Sequence, residues 1–99
     1  MKVWVKRPKQ APALIDVENE LHSLQKIVDG YIEVYPLSPN VVIICNEEGR
    51  IRELPFNTWM EGATFYGTII IAGADGEEFC DCGIDEDDLR EYYPYLWEE

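Results

Sequence analysis

The sequence predicts an α+β domain: a mixed or antiparallel sheet of about five strands, one amphipathic helix packed on it, and a short acidic helix near the C-terminus. Three observations lead there. Apolar residues alternate with period two in "MKVWVKR" and "YIEVYPL". "VVIIC" and "GTIIIAGADG" are apolar on both faces, as strands at a sheet centre are. The period then becomes helical over residues 19–29. With 99 residues, 46% of them apolar, and three Trp, six Tyr and three Phe to bury, residues 1–99 form one domain with one core.

In chain order, the first strand puts Val3 and Val5 on one face and Trp4 on the other. Pro8 and Pro12 bracket a turn, and "ALIDV" returns as a short second strand. Asn19 is placed to N-cap a helix in which Leu21, Leu24, Ile27 and Val28 form the apolar stripe, and Gly30 stands at its C′ position. The next strand sets Ile32 and Val34 against Tyr31, Glu33 and Tyr35 until Pro36 and Pro39 stop it. "NVVIICNEEGRIREL" reads as two strands joined by a tight turn through Glu47, Glu48 and Gly49. "PFNTWMEGATFY" has no clear period and reads as a loop with one helical turn. The buried strand that follows is released by Gly73 and the Asp75-Gly76 turn. Asp85 with Asp88 three residues on resembles a capping arrangement. Glu86, Asp87 and Asp88 then fall in the first turn of a helix over residues 85–93, where the helix dipole favours negative charge. Pro94 ends that helix, and "YLW" docks aromatic surface back on the body.

Charge is the most unusual bulk property. The formal net charge is −12, and eleven of the twenty acids lie in residues 75–99 against Arg90 alone. Lys2, Lys6, Arg7 and Lys9 make a basic start. Such a field repels phosphates at long range and steers toward basic partners, which disfavours direct binding to nucleic acid or an anionic membrane. The N-terminus alternates apolar and basic residues instead of opening an apolar secretory stretch, and the apolar runs are too short to span a bilayer. A soluble, cytoplasmic chain is expected.

Three cysteines without a secretory signal read as thiols or metal ligands. Cys80 and Cys82, one residue apart, approach a common ion only in a turn or bulged loop. With Cys45 and His22, the lone histidine, they would complete a Cys₃His zinc site. The structural alternative makes Cys45 a small buried hydrophobe and puts His22 on the polar face of its helix with Lys26. "ADGEE" and "DEDD" lack the spacing of a calcium loop. Enzyme signatures are poor: His22 has no nucleophile beside it, no phosphate-cradling glycine loop occurs, and twenty acids make close carboxylate pairs inevitable. No catalytic residue is assigned. The partner-binding candidates are Asp85, Glu86, Asp87, Asp88 and Glu91, flanked by Tyr92, Tyr93, Tyr95 and Trp97. Such an arrangement offers aromatic anchors with a charged rim to a basic groove.

"LQKIVDGYIEV", "VVIICNEEGRIRELPFN" and "GTIIIAGADGEEF", in that order after an N-terminal "MKVWV" strand, resemble a family of small domains of unknown function carried by bacteriophages and other mobile elements. The likeness covers about residues 1–90, with "GYIE" and "NEEG" its best markers. The resemblance transfers structural glycines, Gly30 and Gly49, and no catalytic residue. "CDCG" departs from the Ser/Thr-rich run that the family would have there. It also implies a setting in which small acidic proteins block host defence machinery. The expected function is therefore a non-enzymatic, acidic inhibitor that occupies a basic surface of a nucleic-acid-handling complex such as a CRISPR effector nuclease. The alternative is a structural or regulatory accessory domain of a mobile element, with zinc as its candidate stabilising metal.

Overall fold

The computed structural model describes residues 1–98; Glu99, one of the eleven acids of the C-terminal quarter, lies outside the described residues. The chain runs β1 (Lys2–Lys6), β2 (Ala13–Asp16), α1 (Leu21–Val28), β3 (Ile32–Ser38), β4 (Val41–Asn46), β5 (Phe56–Met60), β6 (Ala63–Tyr66), β7 (Ile69–Asp75), β8 (Glu78–Cys80), α2 (Glu86–Tyr92) and a terminal 3₁₀ turn, Pro94–Trp97. The main sheet has six strands, all antiparallel, in the order β2-β1-β7-β4-β3. β8 continues the line of β1: β1 pairs with Ile69–Ile71, β8 pairs with Gly73–Asp75, and the Cys82 N–H donates to the Lys2 carbonyl at 2.8 Å. β5 and β6 form a separate hairpin.

Both faces of the sheet are covered. On one, Val3, Val5, Val42, Ile44, Ile70 and Ala72 pack against Leu24 and Val28 of α1. On the other, Trp4, Ile43, Cys45, Ile69 and Ile71 pack against Met60 and Phe65 of the hairpin and Leu89 and Leu96 of the C-terminal segment. The strict alternation of Val3, Trp4 and Val5 between these two cores follows from the pleat.

Four local expectations are corrected. "PFNTWMEGATFY" is the β5–β6 hairpin, turned by Glu61 and Gly62 at φ 50° and 82°. Two successive left-handed residues match the right-handed twist of a hairpin, and the register shift between Phe56 and Thr58 blurs the period-two signal. "GRIREL" is not a strand: residues 47–53 are successive turns, closed by Arg52 N–H to Glu48 O at 2.8 Å and Leu54 N–H to Gly49 O at 2.9 Å. β8 forms where a turn alone was expected, because the Asp75-Gly76 turn returns the chain along β7. α1 begins at Leu21 with Glu20 at its N-cap, while the Asn19 amide donates to the Phe79 carbonyl at 2.7 Å and ties α1 to β8.

The end of α1 shows how a short helix is pinned. Asp29, not Gly30, takes the left-handed conformation (φ 63°). The buried Asn46 amide then donates to the carbonyls of Val28 at 3.0 Å and Asp29 at 2.9 Å, while its own carbonyl accepts Glu48 N–H at 2.7 Å. Gly30 makes room, since a Cβ there would sit 2.7 Å from the Asn46 side-chain nitrogen. One β4 side chain thus satisfies the helix end and starts the turns that follow. Asn46→Ala is expected to lower unfolding free energy by about 2–3 kcal/mol, read from urea denaturation.

Candidate functional site

The C-terminal segment separates its charges from its rings. Asp85 caps α2, its carboxylate accepting the Asp88 N–H at 2.8 Å, and Glu86, Asp87 and Asp88 fill the first turn. Asp85–Asp88 and Glu91 are all exposed. Of the segment's acids only Glu86 has an ion pair among the described residues, with Arg90 at 3.2 Å. Tyr92 is 69% exposed, but the other rings turn inward. Trp97 packs edge-to-face with Trp4, with centroids 6.4 Å apart, and the Arg90 guanidinium lies over the Trp97 ring at 4.4 Å. Trp4 in turn donates its indole N–H to the Ile84 carbonyl at 2.9 Å. Tyr93 packs against Tyr95 and donates its hydroxyl to the Glu61 carboxylate at 2.9 Å. The expected interface is therefore split: five carboxylates and Tyr92 face outward, while Tyr93, Tyr95 and Trp97 hold the segment to the body.

The expected zinc ligands are not brought together. Among the described residues, no three His, Cys, Asp or Glu side chains converge at metal-binding distance. Cys45 and Cys82 lie in the core beneath the hairpin and α2, whereas exposed His22 belongs to α1, across the sheet. The sheet itself stands between histidine and thiols. Cys45 is a buried hydrophobe whose thiol lies 3.6 Å from the Glu33 carbonyl. Burial, then the Glu33 charge, pushes it up to about 11. Burial likewise raises the Cys82 thiol, whereas Cys80 is only partly covered and all three cysteines are free.

A second feature was not singled out from the sequence. Lys6, Lys9, Phe56, Asn57, Trp59 and Tyr95 are among the lining residues of an open cleft of about 730 Å³. β1 supplies Lys6, the edge of the hairpin supplies the two rings and the amide, and the terminal 3₁₀ turn supplies Tyr95. Lys6 is only 2% exposed and burial holds its amine below the usual lysine value. Its ammonium donates to the Arg7 carbonyl at 3.0 Å. Trp59 and Phe56 lie half-exposed on the hairpin. The one available signal was "FNTW" read as a strand, which puts Asn57 beside Trp59 on one face and Phe56 beside Thr58 on the other.

Among the described residues no helix is long and apolar enough to cross a membrane. A family model described as a domain of unknown function, DUF3846, matches residues 1–94. No curated protein and no solved structure matches the chain.

Two solution outcomes follow from these environments. At pH 8 a soft alkylating agent should modify Cys80 ahead of Cys45 and Cys82, read as time-resolved mass shifts on the native chain; burial and suppressed ionisation both protect the latter pair. Tyr93 is pushed up from 10.0 to about 12, first by burial and then by its bond to Glu61 and that group's charge. A folded value above the unfolded one means that the protonated phenol supports the fold fully below pH about 10 and that this support is lost as pH rises toward about 12. Tyr93→Phe should flatten the decline of thermal midpoint across that window relative to the parent chain.

Proposed function

The chain belongs to the DUF3846 family, and on that premise we propose that it is a non-enzymatic, acidic protein-binding domain that docks on a basic surface of a nucleic-acid-handling protein. In its specific form the reading is a counter-defence inhibitor of phage or mobile-element origin, acting in the bacterial cytoplasm on a complex such as a CRISPR effector nuclease. The observation that carries it is the exposed, largely unpaired run of Asp85, Glu86, Asp87, Asp88 and Glu91 on a chain of net charge −12. Carboxylates with no cation beside them keep their field for a partner, steering encounter and penalising wrong surfaces. Tyr92 gives the run an exposed aromatic neighbour.

A second reading has its own support. Tyr93, Tyr95 and Trp97 are used in packing rather than as interface anchors, which favours a structural or regulatory accessory domain of a mobile element. In that case the acidic face serves solubility.

The test is binding of the purified chain to a guide-loaded CRISPR effector, followed by biolayer interferometry across a salt series. The inhibitor reading expects affinity to fall steeply with salt. It also expects Asp87→Asn, Asp88→Asn and Glu91→Gln together to weaken association about tenfold or more at low salt. Asp85 is spared because it caps α2. Binding that survives both treatments, or no binding at all, transfers support to the accessory-domain reading.

A further inference from the structure

β2 is an edge strand whose outer side is open. Met1 and Val17 exchange both backbone bonds, Val17 N–H to the Met1 carbonyl at 2.8 Å and the Met1 amine to the Val17 carbonyl at 2.7 Å. By antiparallel alternation Val3 then bonds Ile15 and Val5 bonds Ala13, so the N–H and C=O groups of Leu14 and Asp16 face away from β1. The Leu14 side chain shares the sheet face of Trp4, its cross-strand partner, yet is 53% exposed. The cover of that face stops short of β2. After the Cys82 N–H meets the Lys2 carbonyl the chain crosses β1, where the Ile84 carbonyl takes the Trp4 indole N–H at 2.9 Å, and enters α2. Between this crossing and β2 lies an open groove of about 690 Å³, with Leu14, Trp4 and Ile84 as its apolar part and Asp81, Asp85 and Glu86 against Lys2 alone as its charged part. Asp81 and Asp85 accept backbone N–H groups, from Lys2 and Asp88 at 2.8 Å each, and neither has a cation at ion-pair distance among the described residues.

We propose that the edge of β2 and this groove receive a short extended segment of a basic partner by strand addition, with an apolar side chain laid on Leu14 and Lys or Arg side chains toward Asp81 and Asp85. The inference rests on the reading of the chain as a binder of basic surfaces and specifies the segment that such a partner offers. An added strand pairs its backbone with Leu14 and Asp16, and its residues opposite these two point onto the groove side of the sheet. One apolar residue flanked at a spacing of two by basic residues therefore matches the groove. A helix could not use the open backbone groups. A second copy of this chain brings another −12 to an acidic edge, so charge opposes self-pairing there. Four residues make β2 too short to template extended sheet growth but long enough for a segment chosen by charge.

The test uses the full chain, ¹⁵N-labelled and titrated with the capped peptide Lys-Thr-Leu-Thr-Lys, which puts Lys, Leu and Lys on one face of a strand. Its comparators are Glu-Thr-Leu-Thr-Glu, pentalysine, and the first peptide N-methylated at Leu. Saturable shifts of the Leu14 and Asp16 backbone amides are expected with the first peptide, together with slower hydrogen exchange at both. N-methylation should weaken binding about tenfold or more, because it removes an edge bond and blocks close pairing. Leu14→Ala should weaken it about fivefold while leaving the rest of the spectrum in place, since that side chain is half-exposed and outside both cores. Pentalysine that binds as tightly, with shifts at Asp87 and Asp88 instead, overturns strand addition and leaves the basic-surface reading standing. Equal binding of the acidic peptide, or of the N-methylated one, overturns the proposal. So does the absence of saturable shifts with the first peptide at millimolar concentration, whereas the basic-surface reading falls only in its own salt-series test. Shifts of Leu14 and Asp16 that follow chain concentration without any peptide assign the edge to a second copy and also overturn it.

Discussion

β7 is the constraint from which the other elements take their places. Ile69, Ile70, Ile71 and Ala72 are consecutive and fully buried, so they point alternately to opposite sides of the sheet and each side needs a cover. Burying one such isoleucine is worth about 2 kcal/mol, available only when water is excluded from its face. α1 supplies one cover through Leu24 and Val28; the hairpin and the C-terminal segment supply the other through Met60, Phe65, Leu89 and Leu96. Edge strands manage the remaining exposure: β2 is four residues long, and β3 carries Pro36, which withholds an N–H from any strand that would add there.

The net charge of −12 lies at the surface, and half of the eight cations are engaged in local structural contacts. Arg52 bonds the Asp29 carbonyl and pairs with its carboxylate, fastening the end of α1. Arg90 sits between Glu86 and the Trp97 ring, and Arg50 lies over Tyr66. Lys6 is drawn into the cleft. The acids are left facing water, where their mutual repulsion opposes compactness and the two cores offset it. A basic partner would relieve that repulsion.

What was legible in the sequence was whatever a single element carries by itself. The pleat separated Trp4 from Val3 and Val5, and apolar runs marked β4 and β7 as central, because burial on one or two faces imprints directly on residue type. The hairpin was not legible: its turn uses Glu61 before Gly62 in place of the usual Asn or Asp, and a bulge breaks its alternation. The four expected zinc ligands are not brought together for a global reason, since sequence spacing cannot say that His22 and Cys45 end on opposite sides of one sheet. The inward turn of Tyr93 and Trp97 was equally hidden, because it depends on Glu61 and Trp4, contributed by distant strands and turns.

The C-terminal segment joins the two candidate surfaces. Its first turn carries the exposed acids, and its last turn places Tyr95 in the cleft, with Leu89 fully buried between. Glu86 and Trp97 meet through Arg90, so a basic partner that takes Glu86 competes for the group covering Trp97. The exposed pair is worth about 0–1 kcal/mol, far less than the burial of Leu89 and Leu96. The acid side therefore yields first. The edge contact of Trp97 with Trp4 does not involve Arg90. The proposed docking of a basic partner at the acidic turn would therefore carry little structural cost, because the body is held by its apolar contacts.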